Sequence, residues 1–379
     1  METFFLLTTG KPDFLMIYNR KKFLTLFAQT LGLIACHSTV LGQISVLKLR
    51  ESAFSKGLKY IGRALELEGY FVWCSSPIYD NQGQVHVFFS RWKQELGMGG
   101  WLKGSEIVHA VAPSPDQPLV VKETVLSPRG AGYWDATTCH NPSITRFNNT
   151  YYLYYMGNSN GKTNTKRIGL ATAESLDGPW KRTDQPILEA GEEGSWDDHC
   201  TTNPTVIQTA DKAYYLFYKS WNTADYLAEK GAIRGNRKYG LAVSSSPEGP
   251  FKKYAQNPVI DFSAKGGNAQ FEDAFVWIEK GMFYMIARDM GVQSHEDGLL
   301  MRSADGKKWS EPALAFQAMS AYTKEGPYPT SLKRIGRLER PMLLLNKKNQ
   351  PEWLFGASQG GKYNTSSAMV FRCNPNQIW

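Results

Sequence analysis

The chain has 379 residues, of which 42% are hydrophobic, 13% aromatic and 21% charged. This composition excludes a disordered chain, and the length allows two or three ordinary domains or one large single-core architecture. The formal charge is +8, but no run of Lys and Arg interleaved with aromatic residues follows residue 35. A nucleic-acid partner is therefore not expected, and the basic balance favours an anionic ligand instead.

The N-terminal segment has the order of a secretory signal. Asn19 and the basic residues 20–22 precede twelve mostly apolar residues, 23–34, and small residues follow. Such a stretch is too short to span a bilayer. We expect an export or lipoprotein signal over residues 1–42, with the mature chain starting near Cys36 or near Gln43. The protein would then be periplasmic, secreted or anchored to a bacterial membrane by a lipid on Cys36.

The later cysteines do not form a recognisable metal motif. They are Cys74, Cys139, Cys200 and Cys373, and no C-x-x-C pair occurs among them. Cys139-His140 and His199-Cys200 combine the ligand types that zinc prefers. Buried free thiols, or a single disulfide in an oxidising compartment, are the plainer interpretation.

A repeat organises the chain. Trp134-Asp135, followed by His140-Asn141-Pro142, recurs as Trp196-Asp197, followed by Asn203-Pro204, at identical offsets and a period of 62 residues. Each copy continues into an aromatic hairpin, a third strand containing Gly-Leu-Ala, a Gly-Pro-aromatic turn and a short fourth strand. Four strands per repeat is typical of a propeller blade.

Weaker copies start near Tyr70, Glu272 and Glu339, which brings the number of blades to five. Patterns with helical periodicity are almost absent after residue 70. The sequence predicts an all-β, five-bladed β-propeller with four antiparallel strands per blade over residues 70–379. Residues 44–69 are expected to form an N-terminal closing segment.

The functional site is expected in the central channel, because the inner strand of every blade lines it. In the predicted register, the strand entrances are Ser75-Ser76-Pro77, His140-Asn141-Pro142, Thr202-Asn203-Pro204, Glu272-Asp273-Ala274 and Glu339-Arg340-Pro341. These polar entrances favour a ligand-facing rim, and polar caps on a solvated channel are the alternative. A structural Ca²⁺ or Mg²⁺ in the channel is an open alternative, although no contiguous ligand motif supports it. Otherwise no metal or cofactor is expected.

These features resemble the five-bladed propeller glycosidases of glycoside hydrolase families 43 and 117, over roughly residues 70–373. The resemblance rests on the repeated motifs above and on Glu272-Asp273-Ala-Phe-Val-Trp277, Arg288-Asp289-Met290 and Glu339-Arg340-Pro341. It implies hydrolysis by an Asp base, an orienting Asp and a Glu acid from successive inner strands. Family 117 enzymes use a His as the acid.

Two positions depart from the family 43 pattern. Blade one has Ser75-Ser76-Pro77 where the base is expected, and blade three has Asn203 where the orienting Asp is expected. Glycoside cleavage requires two carboxyl groups. We therefore predict Asp135 as the base, Glu272 as the acid, and Asp273 or Asp289 as the orienting carboxylate. Asp135 is equally consistent with a structural turn, because Trp-Asp occurs in both copies of the repeat.

The predicted substrate-binding residues carry aromatic, amide or charged side chains: Trp134, His140, Asn141, Asn203, Lys219, Arg288, Glu339 and Arg340. The predicted function is an exported, inverting glycoside hydrolase that cleaves a terminal bond of a plant or algal glycan, including an anionic one. A carbohydrate-binding propeller without activity is one alternative. A phosphorylase is the other, with Lys219, Arg288 and Arg340 binding phosphate.

Overall fold

The computed structural model describes residues 49–228, 234–324, 328–374 and 378–379, together with two short strands before residue 49. Residues 1–48 and 49–379 are separate compact units. In the first, Phe5–Leu6 pairs antiparallel with Ile17–Tyr18. The rest of the predicted export signal, with Cys36 and Gln43, lies outside the described residues. Within the described residues, no helix is long and apolar enough to cross a membrane.

Residues 49–379 form five antiparallel sheets of four strands each, and together these are the blades of a β-propeller. Blade one consists of Tyr70–Tyr79, Val85–Lys93, Glu106–Ala112 and Val120–Leu126. Blade two consists of Thr138–Phe147, Thr150–Asn158, Arg167–Ala173 and Lys181–Arg182. Blade three consists of Thr202–Gln208, Tyr214–Ser220, Lys238–Ser244 and Lys252–Lys253. Blade four consists of Gln270–Glu279, Met282–Met290, Gly298–Ser303 and Ala313–Phe316. The predicted fold class is confirmed.

Blade five joins the two ends of this unit. Its strands are Glu339–Leu345, Pro351–Gly360, Thr365–Arg372 and, on the outside, Lys59–Leu65. The outer strand comes from the start of the unit and pairs antiparallel with the last strand of the chain. The Phe54 backbone N–H also donates to the carbonyl of Ile378 at 3.1 Å. The propeller therefore cannot open without breaking a row of backbone hydrogen bonds.

Helices contribute little to the described part of the chain. Two short α-helices, Ala53–Lys56 and Thr223–Ala228, occur in it. Single 3₁₀ turns lie at Gln94–Leu96, Met98–Leu102, Thr163–Thr165, Ser263–Lys265 and Met319–Ala321. The apolar core lies between adjacent blades instead: buried Tyr154 and Leu170 of blade two pack in one cluster with Leu216 and Ala242 of blade three.

The repeated Trp, Asp and Gly positions form one structural unit in blades two and three. Trp134 packs on the ring of Tyr155 at a centroid distance of 5.4 Å, and Trp196 packs on Tyr218 at 5.7 Å. Gly169, in the Gly-Leu-Ala strand, leaves room for this indole, because a Cβ there would lie 2.2 Å from Trp134 Cζ2. The glycine of the repeat is thus required by the tryptophan of the repeat.

The aspartates of the same motif are buried and bonded within their own blades. The Tyr155 hydroxyl donates to Asp135, and the Tyr218 hydroxyl donates to Asp197, both at 2.8 Å. A cation from the outer strand completes each pair: Arg182 in blade two and Lys253 in blade three. The motif therefore ties the loop that enters each blade to that blade's second and outer strands.

Replacing Gly169 by Ala tests this packing. We expect Gly169→Ala to lower the free energy of unfolding by ~1–3 kcal/mol, because the added methyl group overpacks the Trp134 ring. Urea denaturation followed by tryptophan fluorescence measures the change. Gly99→Ala is the matched control, since a Cβ at Gly99 meets nothing within 4 Å. Equal stability of the two variants would contradict the proposed packing.

Candidate active site

Every inner strand carries a bulge at the same place. In blade one the pairing with the second strand shifts register between Trp73 and Ser76, and the other four blades shift at the equivalent position. The second residue of each bulge has a positive φ of 52–61°: Cys74, Asn141, Asn203, Asp273 and Arg340. A bulge re-aims the side chains beside it. Here it turns five equivalent side chains toward the channel.

The bulge corrects the predicted register of blade one. The residues equivalent to His140-Asn141-Pro142 are Trp73-Cys74-Ser75, so the predicted entrance Ser75-Ser76-Pro77 lies two residues too late. The prediction aligned the blades on proline. Pro77, however, pairs with Val87 beyond the bulge. The residue of blade one that is equivalent to Pro142 is Ser75.

The five bulge residues form a hydrogen-bonded ring around the channel. The Cys74 thiol donates to the amide oxygen of Asn141 at 2.8 Å, and Asn141 Nδ2 donates to Asn203 Oδ1 at 2.6 Å. Asn203 Nδ2 donates to Asp273 Oδ1 at 2.7 Å. The Arg340 backbone N–H donates to Asp273 Oδ2 at 3.2 Å, and its side chain lies beside Cys74. Each blade thus contributes one member of the ring.

A cavity of about 150 Å³ lies against this ring. The structure brings eight of the predicted site residues to its wall: His140, Asn141, Asn203, Lys219, Glu272, Asp273, Glu339 and Arg340. The other lining residues are Trp73, Trp92, Met98, Trp101, Lys166 and Thr202. We call this the central cavity.

A larger cavity, of about 410 Å³, lies at the other end of the inner strands. Its wall is formed by residues such as Ile144, Phe275 and Leu343, and it contains no Asp, Glu, His, Lys or Cys. Of these two cavities at the hub, only the smaller central cavity has carboxylates in its wall.

Cations from one blade face carboxylates from the next. Lys219 lies on the second strand of blade three and contacts Glu272 of blade four. Arg288 lies on the second strand of blade four, and its Nη1 donates to Glu339 Oε2 of blade five at 2.5 Å. The two cations occupy equivalent positions, because Lys219 pairs with Thr202 and Arg288 with Glu272 in the two sheets. The propeller geometry therefore places each cation against its neighbour's inner strand.

Glu272 is surrounded by positive charge. Besides Lys219, Arg237 Nε lies 3.2 Å from its Oε1 and Arg288 Nη1 lies 3.6 Å from its Oε2. Burial by itself would raise the pKa of Glu272, but the attraction of Arg237, Lys219 and Arg288 holds it far below its usual range. These cations therefore favour the ionised form of Glu272.

Glu339 has the opposite environment. Burial raises the pKa of this carboxyl, and the neighbouring charges of Asp273 and Glu272 oppose the partial stabilisation that Arg288 gives to the ionised form. The central cavity thus contains one carboxyl group whose pKa is lowered and one whose pKa is raised.

The third carboxylate, Asp273, is occupied by the ring. It accepts from Asn203 and from the Arg340 backbone, and Arg340 Nη1 lies 3.6 Å from its Oδ1. These contacts fix its orientation and leave it as a positioning group.

Four predicted residues, Asp135, Trp134, Asp289 and Arg288, do not line the central cavity. Asp135 is completely buried and pairs with Arg129 at 2.6 Å. Trp134 packs inside blade two, as described above. Asp289 accepts four backbone N–H groups of residues 291–294 at 2.7–3.0 Å and so shapes the loop that follows it. Arg288 contacts two glutamates that do line the cavity, Glu272 and Glu339.

The sequence analysis missed Lys166. It is 3% exposed, and its ammonium group lies 4.3 Å from the ring centroid of Trp221 and 5.7 Å from that of Trp101. Burial lowers its pKa to about 8. A signal was present in the repeat: Lys166 stands three residues before Gly169, and Arg237 stands three residues before Gly240. Both copies therefore place a cation at the cavity end of the third strand.

The histidine of the cavity is neutral. His140 Nδ1 lies 2.8 Å from the Ser105 hydroxyl, and the ring is buried between Trp92 and Trp101. Burial, reinforced by Arg340 and Lys166, holds its pKa well below the usual value. His140 therefore lacks the proton that a histidine acid of the family 117 kind would need.

The predicted Cys-His pairs do not assemble a metal centre in the described part of the chain. Cys74, Cys139, Cys200 and Cys373 are buried and free. The group that does come together is His86, His109 and Asp177, outside the central cavity. The two imidazoles lie 2.8 Å apart, and Lys122 Nζ lies 2.5 Å from Asp177.

A carboxyl-lined cavity at the hub of five four-stranded blades is the architecture of the five-bladed propeller glycosidases, as the sequence predicted. The model of the glycosyl hydrolases family 32 N-terminal domain matches residues 140–365, and the chain belongs to this family. No curated protein is a significant sequence match.

Solved structures share the fold. Zg3597, a family 117 glycoside hydrolase of the marine bacterium Zobellia galactanivorans, is 17% identical with a TM-score of 0.63, covering 87% of this chain and 96% of its own. BT0996, in a complex with RGII, is 14% identical with a TM-score of 0.62, covering 85% and 91%. A GH43_1 enzyme of Xanthomonas citri complexed with xylotriose is 15% identical with a TM-score of 0.54, covering 82% and 90%. At these identities the likeness establishes the fold.

Replacing Asp135 by Asn separates a structural role from a catalytic one. We expect Asp135→Asn to lower the free energy of unfolding by ~1.5–3 kcal/mol, because the charge that binds Arg129 is lost. The kcat of the folded variant should change less than about threefold. Denaturation and steady-state kinetics measure the two effects. A loss of ~10²-fold in kcat without a loss of stability would instead restore Asp135 as the base.

Proposed function

We propose that the protein is a glycoside hydrolase with Glu339 as the general acid and Glu272 as the second, ionised carboxylate. The observation that carries this proposal is that Arg288 Nη1 contacts both glutamates while their pKa values move in opposite directions. Two carboxyl groups with separated pKa values are the arrangement that acid and base roles require. The proposal reverses the role that the sequence suggested for Glu272.

The chemistry follows from the two protonation states. Protonated Glu339 donates its proton to the glycosidic oxygen as the bond to the anomeric carbon breaks. Ionised Glu272 either attacks the anomeric carbon or accepts a proton from water. Lys219 and Arg237 keep Glu272 charged. Asp273 holds together the hydrogen-bonded ring of bulge residues beside it. The lining indole of Trp101 offers an apolar face to the sugar.

The separation of the two glutamates favours retention. Glu272 Oε2 lies 3.6 Å and Glu339 Oε2 lies 2.5 Å from the same atom, Arg288 Nη1. The sum of these distances is an upper limit for the separation of these two oxygens, and it allows the ~5–5.5 Å separation that retaining enzymes have. We therefore propose double displacement with Glu272 as the nucleophile, in place of the inversion predicted from the sequence.

The size of the cavity supports cleavage at a chain end. A volume of about 150 Å³ admits one six-membered ring, since engineered cavities of ~150 Å³ bind benzene. A carbohydrate partner is supported by the family and by the RGII and xylotriose complexes named above. Export, proposed from residues 1–42, would bring the enzyme to plant or algal polysaccharides outside the cell.

The two alternatives have weaker support. A phosphorylase with the predicted phosphate ligands would need those cations to be free, but Lys219 and Arg288 contact glutamates and Arg340 faces Asp273. The same pairing disfavours a Ca²⁺ or Mg²⁺ in the cavity. A propeller that only binds carbohydrate would not need two carboxyl groups with oppositely shifted pKa values.

Replacing each glutamate by glutamine tests the two roles. We expect Glu339→Gln and Glu272→Gln each to lose ~10²-fold or more in kcat/KM on natural oligosaccharides. On dinitrophenyl glycosides, whose leaving group needs no proton, only Glu272→Gln should stay inactive. In the wild type, kcat/KM should fall as pH rises through the raised pKa of Glu339, because the acid loses its proton.

The exposed Glu193 supplies the control. Glu193→Gln removes a carboxylate outside the cavity and should leave the rate unchanged. A screen of neutral and anionic oligosaccharides, with and without phosphate, identifies the substrate first. Release of sugar phosphate would replace the hydrolase with a phosphorylase, and turnover unaffected by both glutamine variants would refute the proposed pair.

The anomer released first tests the stereochemistry. Proton NMR during the first turnovers should show a product with the configuration of the substrate, because two displacements at the anomeric carbon restore it. Mutarotation of a free sugar recorded in parallel is the control. Initial release of the opposite anomer would show that water lies between the two glutamates and that the mechanism inverts.

A further inference from the structure

We propose that the central cavity recognises a sugar bearing an anionic group, a carboxylate or a sulfate ester, and that Lys166 binds this group. The inference rests on the proposed function, because it names the substrate class of the same cavity. It depends on a difference between Lys166 and the other cations of the site.

Positive charge exceeds negative charge around the central cavity. Five cations contact it or its glutamates: Lys166, Lys219, Arg237, Arg288 and Arg340. Three carboxyl groups face them: Glu272, Asp273 and Glu339. Because Glu339 favours its protonated form, the excess of positive charge is larger still in the active protonation state.

Lys166 is the cation that the carboxylates do not neutralise. Lys219, Arg237 and Arg288 contact Glu272, and Arg340 faces Asp273. Within the described ranges, no carboxylate lies within ion-pair distance of the Lys166 ammonium group. Its neighbours are the rings of Trp101 and Trp221, which attract a cation without cancelling its charge.

Burial makes this arrangement unfavourable without a ligand. An ammonium group that is 3% exposed loses most of its hydration, and a buried charge is stable only when it is paired or hydrogen-bonded. Two nitrogens of buried Arg340, Nε and Nη1, also lack a hydrogen-bond partner among the described residues. A substrate anion would satisfy the charge that the protein leaves open.

The indole rings help to select the ligand. Trp101 lines the cavity and also lies against the Lys166 ammonium group. A sugar ring stacked on an indole can therefore place a substituent beside the lysine. A neutral hydroxymethyl group at the same place would leave the ammonium unpaired, so the cavity should discriminate against neutral sugars.

The test measures binding, so that it does not require turnover. Isothermal titration calorimetry of the full chain compares the affinities of sugars that differ in charge but have similar shapes. The ligands are D-galacturonate, its methyl ester, D-galactose, D-galactose 6-sulfate and the matching glucose series. We expect at least one acidic sugar to bind ~10-fold or more tightly than its neutral counterpart. Preference for the carboxylate or for the sulfate identifies the anionic group.

Variants of Lys166 assign the preference. Lys166→Met should reduce the acid-to-neutral ratio to below about twofold, whereas Lys166→Arg should keep most of it. Lys162→Met is the matched control, because Lys162 is exposed four residues earlier. Equal binding of acidic and neutral sugars by the wild type would overturn the proposal, as would a preference that survives Lys166→Met.

A titration of the wild type avoids any effect of substitution on folding. The preference should decline as pH rises through about 8, because the pKa of Lys166 is lowered to about 8 and its charge is then lost. The other groups that face it are Cys200, Lys219, Arg237, Glu272, His140 and His199. Burial keeps the pKa of His140 and His199 far below this range and raises that of Cys200. A preference that is constant from pH 6 to 9.5 would contradict the role of Lys166.

The two proposals can fail separately. If the protein hydrolyses neutral glycans in a Glu339-dependent reaction but binds acidic and neutral sugars equally well, only the proposed anion site is refuted. Lys166-dependent binding of acidic sugars without any hydrolysis would refute the catalytic proposal alone.

Discussion

The left-handed residue in every inner strand is the constraint on which the site depends. A non-glycine side chain at positive φ costs ~1–2 kcal/mol, and Asn and Asp tolerate this conformation better than Cys or Arg. The chain uses Cys74 and Arg340 there as well as Asn141, Asn203 and Asp273. The hydrogen-bonded ring offsets the cost, because each bulge directs its side chain to a partner in the next blade. The bulges therefore stabilise one another around the channel.

The ring also determines where charge can reside. Asp273 and Arg340 belong to it and compensate each other, so they leave the neighbouring glutamates Glu272 and Glu339 to face the second-strand cations. Glu272 contacts three cations, whereas Glu339 contacts Arg288. This difference in cation contacts moves the pKa values of two chemically identical side chains in opposite directions.

The charged residues of the site lie at positions where the five blades differ from one another. At the second-strand position that faces the bulge, blades three and four have Lys219 and Arg288, whereas blades one, two and five have Ser90, Met156 and Ala357. The first bulge residue changes in the same way, from Trp73 in blade one to Glu272 and Glu339 in blades four and five. The frame of the propeller is repeated, but the cavity is asymmetric, as a site that binds one orientation of a sugar must be.

The sequence by itself determined the architecture and most of the cavity wall, because spacing and alternation are local properties of the chain and equivalent strand entrances converge in any propeller. It could not choose between the structural and catalytic interpretations of Asp135, since both give the same repeated Trp-Asp pair. The tertiary structure decided the register of blade one, where a bulge without a fixed sequence signature made the alignment on Pro77 wrong. It also decided the opposite pKa shifts of Glu272 and Glu339, which depend on charges from other strands and blades. The place of Lys166 beside two indole rings was decided in the same way. Burial and charge pairing are properties of the assembled fold, and for that reason the sequence alone did not contain them.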